Sequence, residues 1–191
     1  MLKQAKTLSK AEVRRVLDYV ATRRHAARNR MLVLATFYAG LRAIEVASLR
    51  YCDVLDSIGK VKTEIWLKAW QTKGYEGRMV YVNTQLQKEL AAYIRAVPSV
   101  DVNARLFYTQ KRGAGGFSAN TLVQFYHTLY GKVGLAGASS HSGRRSFCTN
   151  LAANGVGVRV LMACSGHKSL AAVQRYLDVN CDMVHAAVEL A

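Results

Sequence analysis

The 191-residue sequence predicts a single domain, mainly α-helical, with one small antiparallel β-sheet set into its middle. Three observations carry that expectation. Apolar residues recur at helical spacing along most of the chain, and only one proline, Pro98, interrupts it. The helical pattern lapses once, where aromatic and β-branched residues flank a glycine-bearing turn. Apolar residues make up 51% of the total, enough for one sizeable core at this length but not comfortably for two.

The elements follow in order. Ser9 is placed to cap a helix running to about residue 24, with Val13, Val16, Leu17 and Val20 as its buried stripe. A second helix, about 27–39, is apolar almost all round and is expected at the centre, with Gly40 ending it. A third begins near Arg42. Ile65, Trp66, Leu67 and Trp70, then residues 79–82, read as two strands around the turn 73–77. Helical patterning resumes over 84–96, and a short strand is expected at 106–108 before the glycine loop 113–116. Further helices are predicted from Ser118, over 140–153, 158–164 and 170–176, and in a tail of about 182–190. Met183, Val184, Ala187, Val188 and Leu190 give that tail an apolar stripe too short to be stable alone, so it should dock.

Charge narrows the function. Lys and Arg number 27 against 12 Asp and Glu, a net +15, which concentrates polyanions and makes nucleic acid the leading partner. Between Asp101 and Asp178 there is no carboxylate, while nine Lys or Arg fall there. Metal-dependent nucleases need clustered carboxylates for their ions, and glycosidases need a pair, so this stretch suits neither. Cys52, Cys148, Cys164 and Cys181 have no framework spacing and read as reduced thiols of a cytosolic protein. Cys164 and His167, with His141 and Cys148, match no familiar zinc pattern. No apolar run approaches the roughly 20 residues of a membrane span.

Several residue types in the acid-free stretch suit anion chemistry. His141 and Arg144, one turn apart at a helix start that Ser139 or Ser140 can cap, would share a face with free N–H groups. Gly143 between them either lets a nucleic-acid backbone approach or relieves packing. Arg42 precedes Glu45 by one turn, so the carboxylate either orients a phosphate-binding guanidinium or makes an ordinary surface pair. Tyr176 is a candidate oxygen nucleophile if cations such as Arg175 surround it or a histidine serves as its base, and a core tyrosine otherwise.

Gly40-Leu41-Arg42-Ala43-Ile44-Glu45, Thr72-Lys73-Gly74, His141-x-x-Arg144, Gly166-His167 and Tyr176, in this order, resemble the tyrosine recombinase (phage integrase) family from about residue 8 to 179. The resemblance implies the catalytic-domain fold of that family and a catalytic set of Arg42, Lys73, His141, Arg144, His167 and Tyr176, with Tyr176 as nucleophile and Glu45 in support. It implies cleavage and rejoining of double-stranded DNA through a 3′-phosphotyrosyl link, with no metal, nucleotide or other cofactor. A homo-oligomer on DNA, a tetrameric synapse, is the implied assembly. Type IB topoisomerases use the same constellation, and a catalytically silent DNA-binding regulator is the remaining alternative. Two departures stand out. Gly143 occupies a position usually held by a bulky apolar residue, and residues 1–191 read as a catalytic domain without the N-terminal core-binding domain most members carry.

Overall fold

Ser9 caps the first helix through a reciprocal box: its hydroxyl accepts from the Glu12 amide at 3.2 Å, and Glu12 accepts from the Ser9 amide at 3.0 Å. The helix that follows, α1 (Lys10–Ala21), buries Val13, Val16 and Val20. The computed structural model describes residues 4–99, 101–109, 115–176 and 188–189. Next come α2 (Ala26–Ala39), α3 (Ala43–Ser48) and α4 (Tyr51–Val54), then strands β1 (Glu64–Leu67) and β2 (Arg78–Tyr81). The remaining helices are α5 (Thr84–Ala96), α6 (Ala119–Lys132), α7 (Ser142–Ala153), α8 (Val158–Ser165) and α9 (Leu170–Gln174). The mainly helical class with a small antiparallel sheet is therefore observed.

Helix α2 is the axle. Its apolar residues are buried on every side, and α1, α5 and α7 pack around it. Gly40 ends it at φ 60°, in the left-handed region glycine tolerates. A Cβ on Gly40 would also sit 2.5 Å from the Phe147 ring, so α7 comes very close here. Gly143 serves the same contact from the other helix, because a Cβ there would overlap the Thr36 hydroxyl of α2. The glycine of the HxxR turn thus faces the protein core and relieves packing. It does not open a path for a backbone from outside.

The strands pair antiparallel, Glu64 with Tyr81 through Leu67 with Arg78. Trp70 does not extend the first strand. Residues Ala69–Gln71 form a 3-10 turn, fixed by the Lys68 amide donating to Gln71 Oε1 at 2.8 Å, and Trp70 lies against the Arg50 and Arg105 guanidiniums. The strand expected at 106–108 is also not formed. Arg105 and Tyr108 make only isolated bridges, and the Leu106 amide goes to the Leu49 carbonyl at 2.8 Å, so no continuous ladder develops. Helix α7 begins at Ser142, two residues later than expected, and α4 was not anticipated. The predicted tail helix falls outside the described residues apart from 188 and 189.

A second, smaller core joins α7, α8 and α9. Cys148, Ala152, Leu161 and Val173 are buried there, with Phe147, Met162 and Tyr176 packed on them. Residues 7 and 8 are fastened to α7: the Leu8 amide donates to Ser146 Oγ at 2.7 Å, and Arg145 Nε to Thr7 Oγ1 at 3.0 Å. Among the described residues no helix is long and apolar enough to cross a membrane.

Candidate active site

Two helix C-termini meet where the predicted residues gather. Gly40 at the end of α2, and Ser165 and Gly166 at the end of α8, leave carbonyls that no helical N–H satisfies. Arginines fill these positions. Arg144, only 5% exposed, donates through Nη1 to Gly40 O and through Nη2 to Ser165 O, both at 2.6 Å. Arg42 Nη2 reaches the adjacent carbonyl, Gly166 O, at 3.4 Å. The negative ends of two helices thus hold two guanidiniums side by side. Each arginine has five N–H donors and commits only some of them, leaving others free for an anion.

Glu45 anchors the cluster. It is fully buried and accepts from the Arg42 amide at 2.7 Å, Arg42 Nη1 at 2.9 Å, Arg78 Nε at 2.9 Å and Arg78 Nη2 at 2.8 Å. Burial pushes the carboxyl pKa up, but the Arg78 hydrogen bonds and charge, with the Arg42 amide, outweigh it and hold it below the usual range. The pair is therefore no exposed helix contact. Arg78 is the residue the sequence reading missed. It starts β2 on the same strand face as the buried Val80, and an inward-pointing arginine on a short strand was the available signal. Gly166 belongs with it: at φ 66° it ends α8, and a Cβ there would lie 2.6 Å from Arg78 Cδ.

His167 follows this glycine. Its Nδ1 lies 2.7 Å from Ser165 Oγ and its Nε2 3.3 Å from Arg144 Nη2, so both ring nitrogens are engaged within the protein. Burial first, then the charges of Arg144, Arg42, Arg175 and Arg78, lower its pKa to about 4. His141 is the N-cap of α7, with its amide donating to Ser139 Oγ at 3.3 Å. Burial, followed by Arg144, Lys73 and Arg42, pulls its pKa below the ordinary imidazole value, so it is neutral at pH 7. Lys73 is exposed in the turn before β2. That turn is closed by the Thr72 hydroxyl donating to Glu76 O at 2.7 Å, and tethered by an ion pair between Glu76 and Lys168.

Tyr176 follows α9, its ring centroid 5.8 Å from that of His167 and 5.9 Å from the Arg145 guanidinium carbon. Arg144, Arg175 and Arg145 pull its pKa down, yet burial, then Cys148, outweigh them and the phenol stands above its ordinary value. Of the two routes to an active phenol, cationic surroundings or a base, the cations do not by themselves lower the pKa here. Tyr126 and Tyr130 are fully buried in α6, and burial holds their phenols far higher still. Contacts thus join Arg42 to Glu45 and the end of α8, Arg144 to His167, and His167 to Tyr176, while the charges of Arg144, Lys73 and Arg42 all act on His141.

Residues 6–182 match the Phage integrase family. The chain belongs to that family. Among curated relatives, tyrosine recombinase XerA of Thermococcus kodakarensis is 28% identical over 186 residues, covering 97% of this chain and 62% of its own length. Tyrosine recombinase XerC of Methylobacterium sp. (strain 4-46) is 35% identical over 162 residues, covering 83% of this chain and 48% of its own. This phage integrase family chain therefore spans about half to three-fifths of those proteins. Its fold is shared with a crystal structure of XerA recombinase, at TM-score 0.73 and 24% identity over 96% of this chain and 62% of the other. The Tn1549 transposon integrase, solved in complex with a circular intermediate DNA, matches at TM-score 0.73 and 18% identity, over 100% and 67%. These likenesses establish the tyrosine recombinase catalytic-domain fold.

Proposed function

We propose that this chain is the catalytic domain of a site-specific DNA recombinase or integrase working through a covalent tyrosine intermediate. The observation that carries the reading is the pairing of Arg42 and Arg144 on the consecutive carbonyls Gly166 O and Ser165 O, beside His167 and Tyr176. Two forked guanidiniums at one spot suit the non-bridging oxygens of a phosphodiester, whose charge grows as phosphorus becomes pentacoordinate. Membership of the phage integrase family and the net +15 charge support the same substrate.

In this reaction the Tyr176 oxygen attacks phosphorus and its proton passes to neutral His141. The bond from phosphorus to the 5′-oxygen breaks, and Lys73 protonates that oxygen from its exposed turn. Arg42 and Arg144 stabilise the transition state, with His167 beside them. A second strand's 5′-hydroxyl reverses the step, so the link stores the bond without metal or nucleotide. The partner is double-stranded DNA inside the cell, and the working form is a tetramer on DNA. The apolar stripe beyond Asp182 needs a partner surface, either this domain's own or that of a neighbouring protomer.

Nicked suicide duplexes with a randomised core test this. In excess EDTA and without nucleotide they should yield a protein–DNA adduct that survives SDS. Arg144→Lys should lower its rate roughly a hundredfold or more, because a point charge does not replace the fork. Adduct formation that stops on chelation and returns with metal would overturn the reading.

A further inference from the structure

Ser165 is fully buried at the last turn of α8, and its hydroxyl has one proton and several possible acceptors. Oγ lies 2.6 Å from Leu161 O, 3.4 Å from Met162 O and 2.7 Å from His167 Nδ1. While the proton goes to Leu161 O, the shorter carbonyl contact, Oγ offers only a lone pair to His167. Nδ1 must then carry the imidazole hydrogen, and Nε2 is bare. That agrees with the other side of the ring, where Arg144 Nη2, itself a donor only, faces Nε2 at 3.3 Å.

We propose that Ser165 is a positioning residue that sets the tautomer of His167, keeping Nε2 as an acceptor for Arg144 in the free protein and releasing it as a donor when an anionic oxygen binds. The proposal rests on the recombinase reading of the site. In the second state the hydroxyl proton turns from Leu161 O to Nδ1, the Nδ1 hydrogen leaves to solvent and another binds Nε2. No net proton is gained. Arg144 keeps its bond to Ser165 O and turns its freed N–H to the same anion. The alternative, a doubly protonated imidazolium, is disfavoured by burial and by Arg144, Arg42, Arg175 and Arg78 around the ring. A neutral ring that changes tautomer donates to phosphate without adding a cation to a crowded cationic site.

The test is ¹⁵N NMR of the His167 imidazole in the whole chain, free and with orthovanadate as the phosphate probe. The free protein should show the hydrogen on Nδ1, and orthovanadate should shift it to Nε2 with the ring still neutral. In Ser165→Ala the ratio of Nδ1–H to Nε2–H forms should fall by about tenfold, because a buried N–H loses its partner. Ser165→Thr, which keeps the hydroxyl, should restore it. The rate of adduct formation should follow the same order, Ser165→Ala losing on the order of 10- to 100-fold, as for other groups that orient a functional histidine. An Nε2–H ring in the free wild-type protein, an unchanged ratio in Ser165→Ala, or no response of His167 to orthovanadate would each overturn the proposal. Since the tautomer is read without cleavage, an inactive protein with the expected spectra would instead count against the recombinase reading alone.

Discussion

Arg78 clasps the buried carboxylate of Glu45 with two hydrogen bonds, of 2.9 and 2.8 Å, from a strand 33 residues further along the chain. Arg42 shares that carboxylate, so the β-sheet and the α2–α3 corner are joined through one anion. Arg78→Met keeps bulk but removes the larger part of the compensating charge. It should destabilise the fold by about 3 kcal/mol, the low end for breaking a buried pair, since Arg42 remains. Urea denaturation measures it, and adduct formation should also slow as Arg42 is drawn fully onto Glu45. A loss below 1 kcal/mol would mean the carboxylate is readily rehydrated.

Gly143 and Thr36 set the approach of α7 to α2. Gly143→Ala gains up to about 1 kcal/mol of helix propensity. The new methyl, however, overlaps the Thr36 hydroxyl, and such overpacking costs about 3 kcal/mol at its upper range. The net should be about 2 kcal/mol of destabilisation by denaturant titration. Thr36→Ala in the same chain should recover part of it, and strict additivity of the two changes would refute the contact.

Much of this was legible in the sequence, and the failures share a cause. Ser9, Gly40 and the 84–96 helix were readable because caps, φ-permissive glycines and helical periodicity are local signals. The pairing of Arg42 with Glu45 was readable because the two lie one turn apart, and the ion pair is observed at 2.9 Å. Burial is not local. Arg175 next to Tyr176 suggested a lowered phenol pKa, but the small core under α9 decides the sign. Arg78 was passed over because its partner lies in another element, and the choice between the two readings of Gly143 stayed open because its neighbour, Thr36, lies on the facing helix. The 106–108 strand failed for the same reason, its backbone partners being scattered over separate segments.

His167 makes stability depend on pH in a definite direction. Its folded pKa, about 4, lies below its unfolded value near 6.5, so the unfolded chain takes up the proton first as pH falls. Its contribution is complete above about pH 6.5 and is lost progressively towards pH 4. The melting temperature of the wild-type chain should therefore fall more steeply over that window than that of His167→Gln. Parallel curves would show that the imidazole is not held neutral by its cationic surroundings.

The proposed bond between Tyr176 and DNA is tested most directly by mass spectrometry of the peptide left on DNA after proteolysis of the suicide-substrate adduct. A nucleotide joined through a 3′-phosphate to Tyr176 is expected, and no adduct from Tyr176→Phe, which should bind the same duplex with nearly unchanged affinity. A DNA-linked peptide from any other part of the chain, or an adduct that persists in Tyr176→Phe, would contradict it.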